Sequence, residues 1–187
     1  MASEPRQRLT IQEYLAFERE SETRSEYLDG EMFAMAAPSR FHSFIAGNLF
    51  GQIWAQLRGR PCEVHQETLR VRTPSGLFAY PDVVALCGEP KLDDSDTLLN
   101  PALIVEVLSP STQDYDRGTK FGHYRSLPSL TEFVLVAQDR VHVEHFRHQG
   151  SDGWLLNDLD DLAQTLELPS IGCRLTLAEI YERVFAE

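Results

Sequence analysis

The sequence predicts an α+β fold, in which helices bracket a mixed run of short strands. Two observations carry this. Stretches with helical spacing of apolar residues stand at 10–20, 41–57 and 177–185, and short apolar or alternating runs punctuated by Gly, Pro and Asp lie between them. The regular strand–helix–strand alternation of a doubly wound sheet is missing.

Residues 10–20 read as a helix: Thr10 and Glu13 form a capping-box pair, and Ile11, Tyr14, Leu15 and Glu18 follow the helical period. A hairpin comes next, 25–28 and 31–35, around Asp29-Gly30, a dipeptide suited to a two-residue turn. The second helix, 41–57, carries Phe44, Ile45, Leu49, Ile53 and Leu57 near one face and stops at Gly59 and Pro61.

Strands are expected at 62–66 and 68–72. In the second, Leu69 and Val71 alternate with Arg70 and Arg72, so one face should be wet. Two mostly apolar strands, 80–87 and 103–108, flank a polar loop. A helix over 116–125 ends before Pro128. A second hairpin, 133–137 and 141–146, turns at Gln138-Asp139-Arg140, and short strands lie near Trp154 and Leu166. The last helix, 177–185, opens with a second capping box, Thr176 and Glu179. One domain is expected over 10–187, behind a flexible 1–9.

Bulk properties narrow the function. A chain of 187 residues buries about 70% of its unfolded surface and needs no covalent staples. No apolar run approaches the roughly 20 residues of a membrane helix. The polar start, with Glu4, Arg6 and Arg8, excludes a conventional signal peptide. Cys62, Cys87 and Cys173 form no Cys-x-x-Cys pair and read as reduced, packed thiols of a cytoplasmic protein. A net charge of −12 argues against a broad basic surface that coats nucleic acid. It leaves room for an enzyme that offsets its own carboxylates with divalent cations.

Two carboxylates sit where charge is costly. Glu106 stands in Leu103-Ile-Val-Glu-Val-Leu108, and Asp82 in Pro81-Asp-Val-Val-Ala-Leu86. Each needs a cation, a hydrogen-bonding partner or a proton. In an antiparallel pair the numbers of facing residues add to a constant. Here 82 and 106 add to 188, centred on 94, which is also the middle of the loop 88–100. A simple hairpin would therefore set Asp82 opposite Glu106, with Cβ atoms about 5 Å apart.

Carboxylate oxygens so placed suit Mg²⁺. The alternative is one carboxylate paired with Arg or Lys and the other capping a turn, and the residues alone leave both open. Lys120, early in the helix after the Glu106 strand, is positioned to reach back over the strand ends and stabilise charge on a phosphate. The alternative is a solvated helix lysine. For Asp114 and Asp116 the default is helix capping.

These residues resemble the PD-(D/E)xK nuclease signature. More specifically, Arg24-Ser-Glu-Tyr-Leu-Asp-Gly-Glu31, His42, Tyr80-Pro-Asp-Val-Val84, Leu103 to Thr112 and Tyr115-Asp-Arg-Gly-Thr-Lys120 are similar to the bacterial Uma-type family of restriction-endonuclease-like proteins. The resemblance spans about 10–184. It implies a central mixed sheet flanked by helices, cleavage of phosphodiester bonds with Mg²⁺ (Mn²⁺ substituting), DNA as partner, and a homodimer. Asp82 and Glu106 would be metal ligands, joined by the Val107 carbonyl. The lysine expected two residues after the glutamate is Leu108 here, so Lys120 becomes the substitute.

Second-tier candidates are Glu26, Glu31, His42 and Gln66. Solvent exposure is the default for the two glutamates, which flank a turn. His142, His145 and His148 do not share one strand face and lack a completing ligand for zinc, so an exposed edge strand is expected there. Trp154 and Phe146 are read as core or interface. Two other functions compete: a catalytically weak binding module on the same fold, and a phosphoesterase of small nucleotides.

Overall fold

A computed structural model describes residues 8–93, 96–110 and 112–185, so 1–7 of the expected flexible extension lie outside the described residues. Leu9 donates its N–H to the Gly30 carbonyl at 2.9 Å, laying this stretch against the first hairpin.

Helix α1 (Ile11–Glu20) begins at the Thr10–Glu13 capping box, with both reciprocal hydrogen bonds made. Strands β1 (Ser25–Leu28) and β2 (Glu31–Ala34) pair around Asp29 and Gly30. Both turn residues have positive φ, 50° and 90°, the conformation that a right-twisted two-residue turn demands. Helix α2 (Arg40–Leu57) is capped by Ser39 and buries Ile45, Ala46, Leu49, Ile53 and Leu57.

Strand β3 (Cys62–Gln66) follows, then the short β4 (Val71–Arg72) and β5 (Phe78–Ala79). Neither of the next two expected strands survives intact. The 68–72 run is a strand over two residues, and Arg70 is buried, donating to Thr97 Oγ1 (2.9 Å) and the Tyr80 hydroxyl (3.1 Å). That face is therefore wet only in part, since the Arg72 side chain stays 42% exposed. The 80–87 run is a strand only over β6 (Val83–Cys87), and the preceding β5 belongs to another sheet. Pro81, with no N–H to give a ladder, stands between them.

Strand β7 (Leu103–Leu108) is buried at every position. After it come α3 (Gln113–Tyr115), a π-helical turn Asp116–Lys120 and α4 (Phe121–Tyr124), in place of one regular helix. Strands β8 (Glu132–Ala137), β9 (Val143–His148), β10 (Trp154–Leu159), β11 (Thr165–Leu168) and β12 (Cys173–Thr176) complete the sheets. The final helix α5 (Leu177–Ile180) keeps its Thr176–Glu179 capping box but is shorter than expected.

The large sheet runs β10-β9-β8-β7-β6-β3. Only β7 and β8 are parallel among its pairs, joined by the α3–α4 crossover. Alternation along β7 divides the core. Val105 and Val107 pack with α2, α5 and β12, whereas Ile104 and Leu108 pack with Phe121, Tyr124 and Leu127. Helices therefore cover both faces of a mixed central sheet.

Strand β9 lies inside the sheet, not at its edge, and His145 is buried against Glu132 Oε1 at 2.7 Å. The cysteine reading is also corrected. Cys62 and Cys87 face each other across β3 and β6 and form a disulfide, leaving Cys173 as the buried free thiol. Pairing of strands distant in sequence brought them together, which spacing rules cannot reveal.

Candidate active site

The β6–β7 ladder pairs Val83 with Val105, Val84 with Ile104 and Ala85 with Leu103. One step further, that register sets Asp82 opposite Glu106, on the sheet face that carries Ile104 and Leu108. The two carboxylates line one cleft of about 550 Å³ and are 7% and 3% exposed.

Asp82 has three neighbours. Its Oδ2 accepts the Val107 N–H at 2.6 Å and lies 3.2 Å from His42 Nε2, which reaches it from the first turn of α2. Glu67 joins them: one ligand atom from each of His42, Glu67 and Asp82 lies within 4.8 Å of the others. Glu67 follows the end of β3 in a left-handed conformation, φ 47°, with its N–H on the Pro81 carbonyl.

The charges interact. Burial opposes protonation of His42, but the hydrogen bond to Asp82 and the charges of Asp82, Glu67 and Asp116 outweigh it and raise its pKa. Burial, then the Asp82 charge, raises the Glu67 carboxyl against the pull of His42.

Glu106 turns toward the crossover. Its Oε1 accepts from Lys120 Nζ (3.1 Å) and from the Tyr124 hydroxyl (2.8 Å). Lys120 Nζ also lies 2.7 Å from Glu26 and 3.6 Å from Asp116. The π-helical turn begins with Asp116 and ends with Lys120, and both are buried.

Burial pushes the Glu106 carboxyl well above its usual range. Lys120 opposes that shift, while Asp82, Asp116 and Glu26 add to it. Burial disfavours the Lys120 charge, yet Glu106, Tyr124, Glu26 and Asp116 hold its pKa well above the usual value, so it stays a cation. Three carboxylates share one ammonium.

Of the residues singled out in the sequence, Asp82, Glu106, Lys120, His42 and Glu26 line this cleft. Glu26 is 6% exposed, against the expectation of solvent, because its hairpin folds over the crossover. Lys120 is buried rather than a solvated helix lysine, and Asp116 pairs with it rather than capping a helix. Both carboxylates carry a basic neighbour, Asp82 a histidine and Glu106 a lysine, so the pairing that sequence alone left open is realised in part.

Glu31 and Gln66 do not line the cleft. Glu31 faces Leu28 beside the turn, and Gln66 faces Val83 in the β3–β6 ladder. Sequence reasoning missed Glu67, Tyr124 and Tyr115. A clue to the first was its place just after a strand, one residue beyond the polar Gln66.

Residues 11–178 match the family model described as "Uma2: Putative restriction endonuclease". Two uncharacterized proteins of Synechocystis sp. are similar. One, sll1609, is 36% identical over 154 residues, 81% of this chain and 87% of that protein. The other, slr1290, is 34% identical over 181 residues, 96% and 94%. A crystal structure of a "putative nuclease belonging to DUF820" from Anabaena variabilis superposes with a TM-score of 0.78 at 19% identity, covering 95% of this chain and 99% of that one. This likeness shows the shared fold.

Proposed function

The chain belongs to the Uma2 family, described as "putative restriction endonuclease", and from that premise we propose that it is a divalent-metal-dependent endonuclease hydrolysing phosphodiester bonds in DNA. The observation that supports this most is a surplus of negative charge. Glu26, Glu106 and Asp116 surround Lys120, and Asp82 and Glu67 adjoin His42, all lining one cleft. Buried like charges are costly unless a further cation or protons offset them.

The donors are mainly carboxylate oxygens, which fit Mg²⁺, with Mn²⁺ as substitute. Asp82 and Glu106 would hold the ion, and Glu67, which clusters with Asp82 and His42, offers a further carboxylate. When bound, such an ion supplies Lewis-acid polarisation of the phosphoryl group and a more acidic water.

The remaining tasks fall to the chain. Lys120 and Tyr124 fix the orientation of Glu106, and the Lys120 ammonium would stabilise negative charge gained by a phosphate in the cleft. This amine stands in for the lysine absent at Leu108. The Val107 N–H fixes Asp82. The reading extends to a homodimer in the cytoplasm, where the Cys62–Cys87 disulfide would meet a reducing pool. Among the described residues no helix is long and apolar enough to cross a membrane.

DNA cleavage by the purified chain, offered both plasmid and a single strand, tests the proposal. Cleavage of either should require Mg²⁺ or Mn²⁺ and vanish with EDTA and in Asp82→Ala. Cleavage that survives Asp82→Ala would overturn it. A binding module predicts no cleavage, and a small-nucleotide phosphoesterase predicts faster turnover of a dinucleotide than of plasmid.

A further inference from the structure

One wall of the cleft has no part in the hydrolytic chemistry. From Phe33 to Pro38 it reads Phe, Ala, Met, Ala, Ala, Pro, all lining the cleft without a polar side chain, and Phe33 is 43% exposed. The Tyr115 ring lies 6.4 Å from the Phe33 ring, tilted by 39°. Cross-strand pairing ties this wall to the acids. Phe33 faces Glu26 in the β1–β2 register, and facing residues share one side of a sheet. Glu26 is the carboxylate 2.7 Å from Lys120.

The cleft offers little to a duplex. Its basic side chains among the described residues are His42 and Lys120, and both already face carboxylates. Gripping a double helix takes Lys and Arg along its phosphates. No arginine lines this cleft among the described residues, and the chain carries −12. A volume of about 550 Å³ suits one small-molecule-sized unit.

We infer that the apolar wall 33–38, with Tyr115, is a subsite for an unstacked nucleobase, so that the substrate class is single-stranded nucleic acid rather than intact duplex. Every base has a π face, so stacking on Phe33 binds a strand with little sequence preference. The apolar wall and the acids then divide the nucleotide, base against Phe33 and phosphate toward Asp82 and Glu106. Only the fate of the phosphate rests on the hydrolytic reading above.

The test uses the full chain, a single-stranded oligonucleotide carrying 2-aminopurine, and Ca²⁺ as the divalent ion. Emission should fall as the base stacks. Phe33→Ala should weaken binding by about tenfold, Phe33→Trp should retain it, and a duplex of the same sequence should compete at least about tenfold less well. Unchanged emission with the unaltered chain, equal competition by duplex, or wild-type binding by Phe33→Ala would each overturn the inference. Cleavage with Mn²⁺ separates the two readings. A base signal without cleavage of any substrate defeats the hydrolytic reading and leaves this one standing. Equal cleavage of strand and blunt duplex does the reverse.

Discussion

Val107 donates its N–H to Asp82 Oδ2 at 2.6 Å, so the side chain of Asp82 continues a ladder whose backbone pairing ends at Val83. This pins one carboxylate to the residue that follows the other. It also satisfies a backbone donor where Pro81 has interrupted the strand. Three expectations follow from the charges gathered around this pair and from the disulfide.

Replacing Lys120 by Met should destabilise the fold by about 3–5 kcal/mol, because a buried cation is lost while its carboxylate partners remain. Its side chain is 8% exposed, so solvent gives little relief. Urea unfolding at neutral pH in EDTA measures the loss. Millimolar Mg²⁺ should restore part of it, and an unfolding midpoint like that of the unaltered chain would refute the charge balance described here.

Stability in EDTA should fall as pH rises above 4.5, the ordinary value of a glutamate. Glu106 is raised well above the usual 4.5 by burial, so the folded state holds its proton more tightly than the unfolded chain. That contribution is complete below 4.5 and is lost as pH climbs through the raised value. Glu67 acts in the same direction. His42, raised above 6.5, contributes fully below that value and loses its contribution as pH passes the folded one. Lys120, held above 10.5, keeps its charge across the window. The urea midpoint against pH reads the slope. Added Mg²⁺ should flatten it, since an ion takes the place of the protons.

The chain, unfolded without reductant and alkylated, should show one reactive thiol by mass spectrometry, that of Cys173. Three would mean that Cys62 and Cys87 are not bridged. Reduction should lower stability by about 2–4 kcal/mol, as expected for closing a loop of sequence separation 25.

Much of the fold was legible because its signals are local. The two capping boxes, the Asp29-Gly30 turn and the apolar face of α2 each depend on residues a few positions apart. The register of β6 with β7 was readable for a different reason. The loop between them is centred on the midpoint of Asp82 and Glu106, so chain length alone fixed which residues face. The reach of Lys120 to Glu106 was one of two readings that its place early in the crossover allowed.

What sequence left hidden depends on contacts between distant elements. Glu26 looked solvent-exposed because the packing of its hairpin over the crossover has no periodic signature. Arg70 looked wet because its partners, Thr97 and Tyr80, come from elsewhere in the chain. Glu67 occupies a left-handed turn outside any regular element, and the cysteine bridge needed the β3–β6 pairing.

The π-helical turn Asp116–Lys120 makes the crossover intolerant of changes in length. Such a bulge accommodates one more residue than a regular α-helix over the same span. Deleting Gly118 would turn the segment into regular α-helix and convert Asp116 and Lys120 from an i, i+4 to an i, i+3 pair, which shifts the ammonium among Glu26, Glu106 and Asp116. Drift among relatives should therefore favour substitution over insertion or deletion at these five positions, and a library of single-residue deletions scanned along the crossover would mark them as the least forgiving.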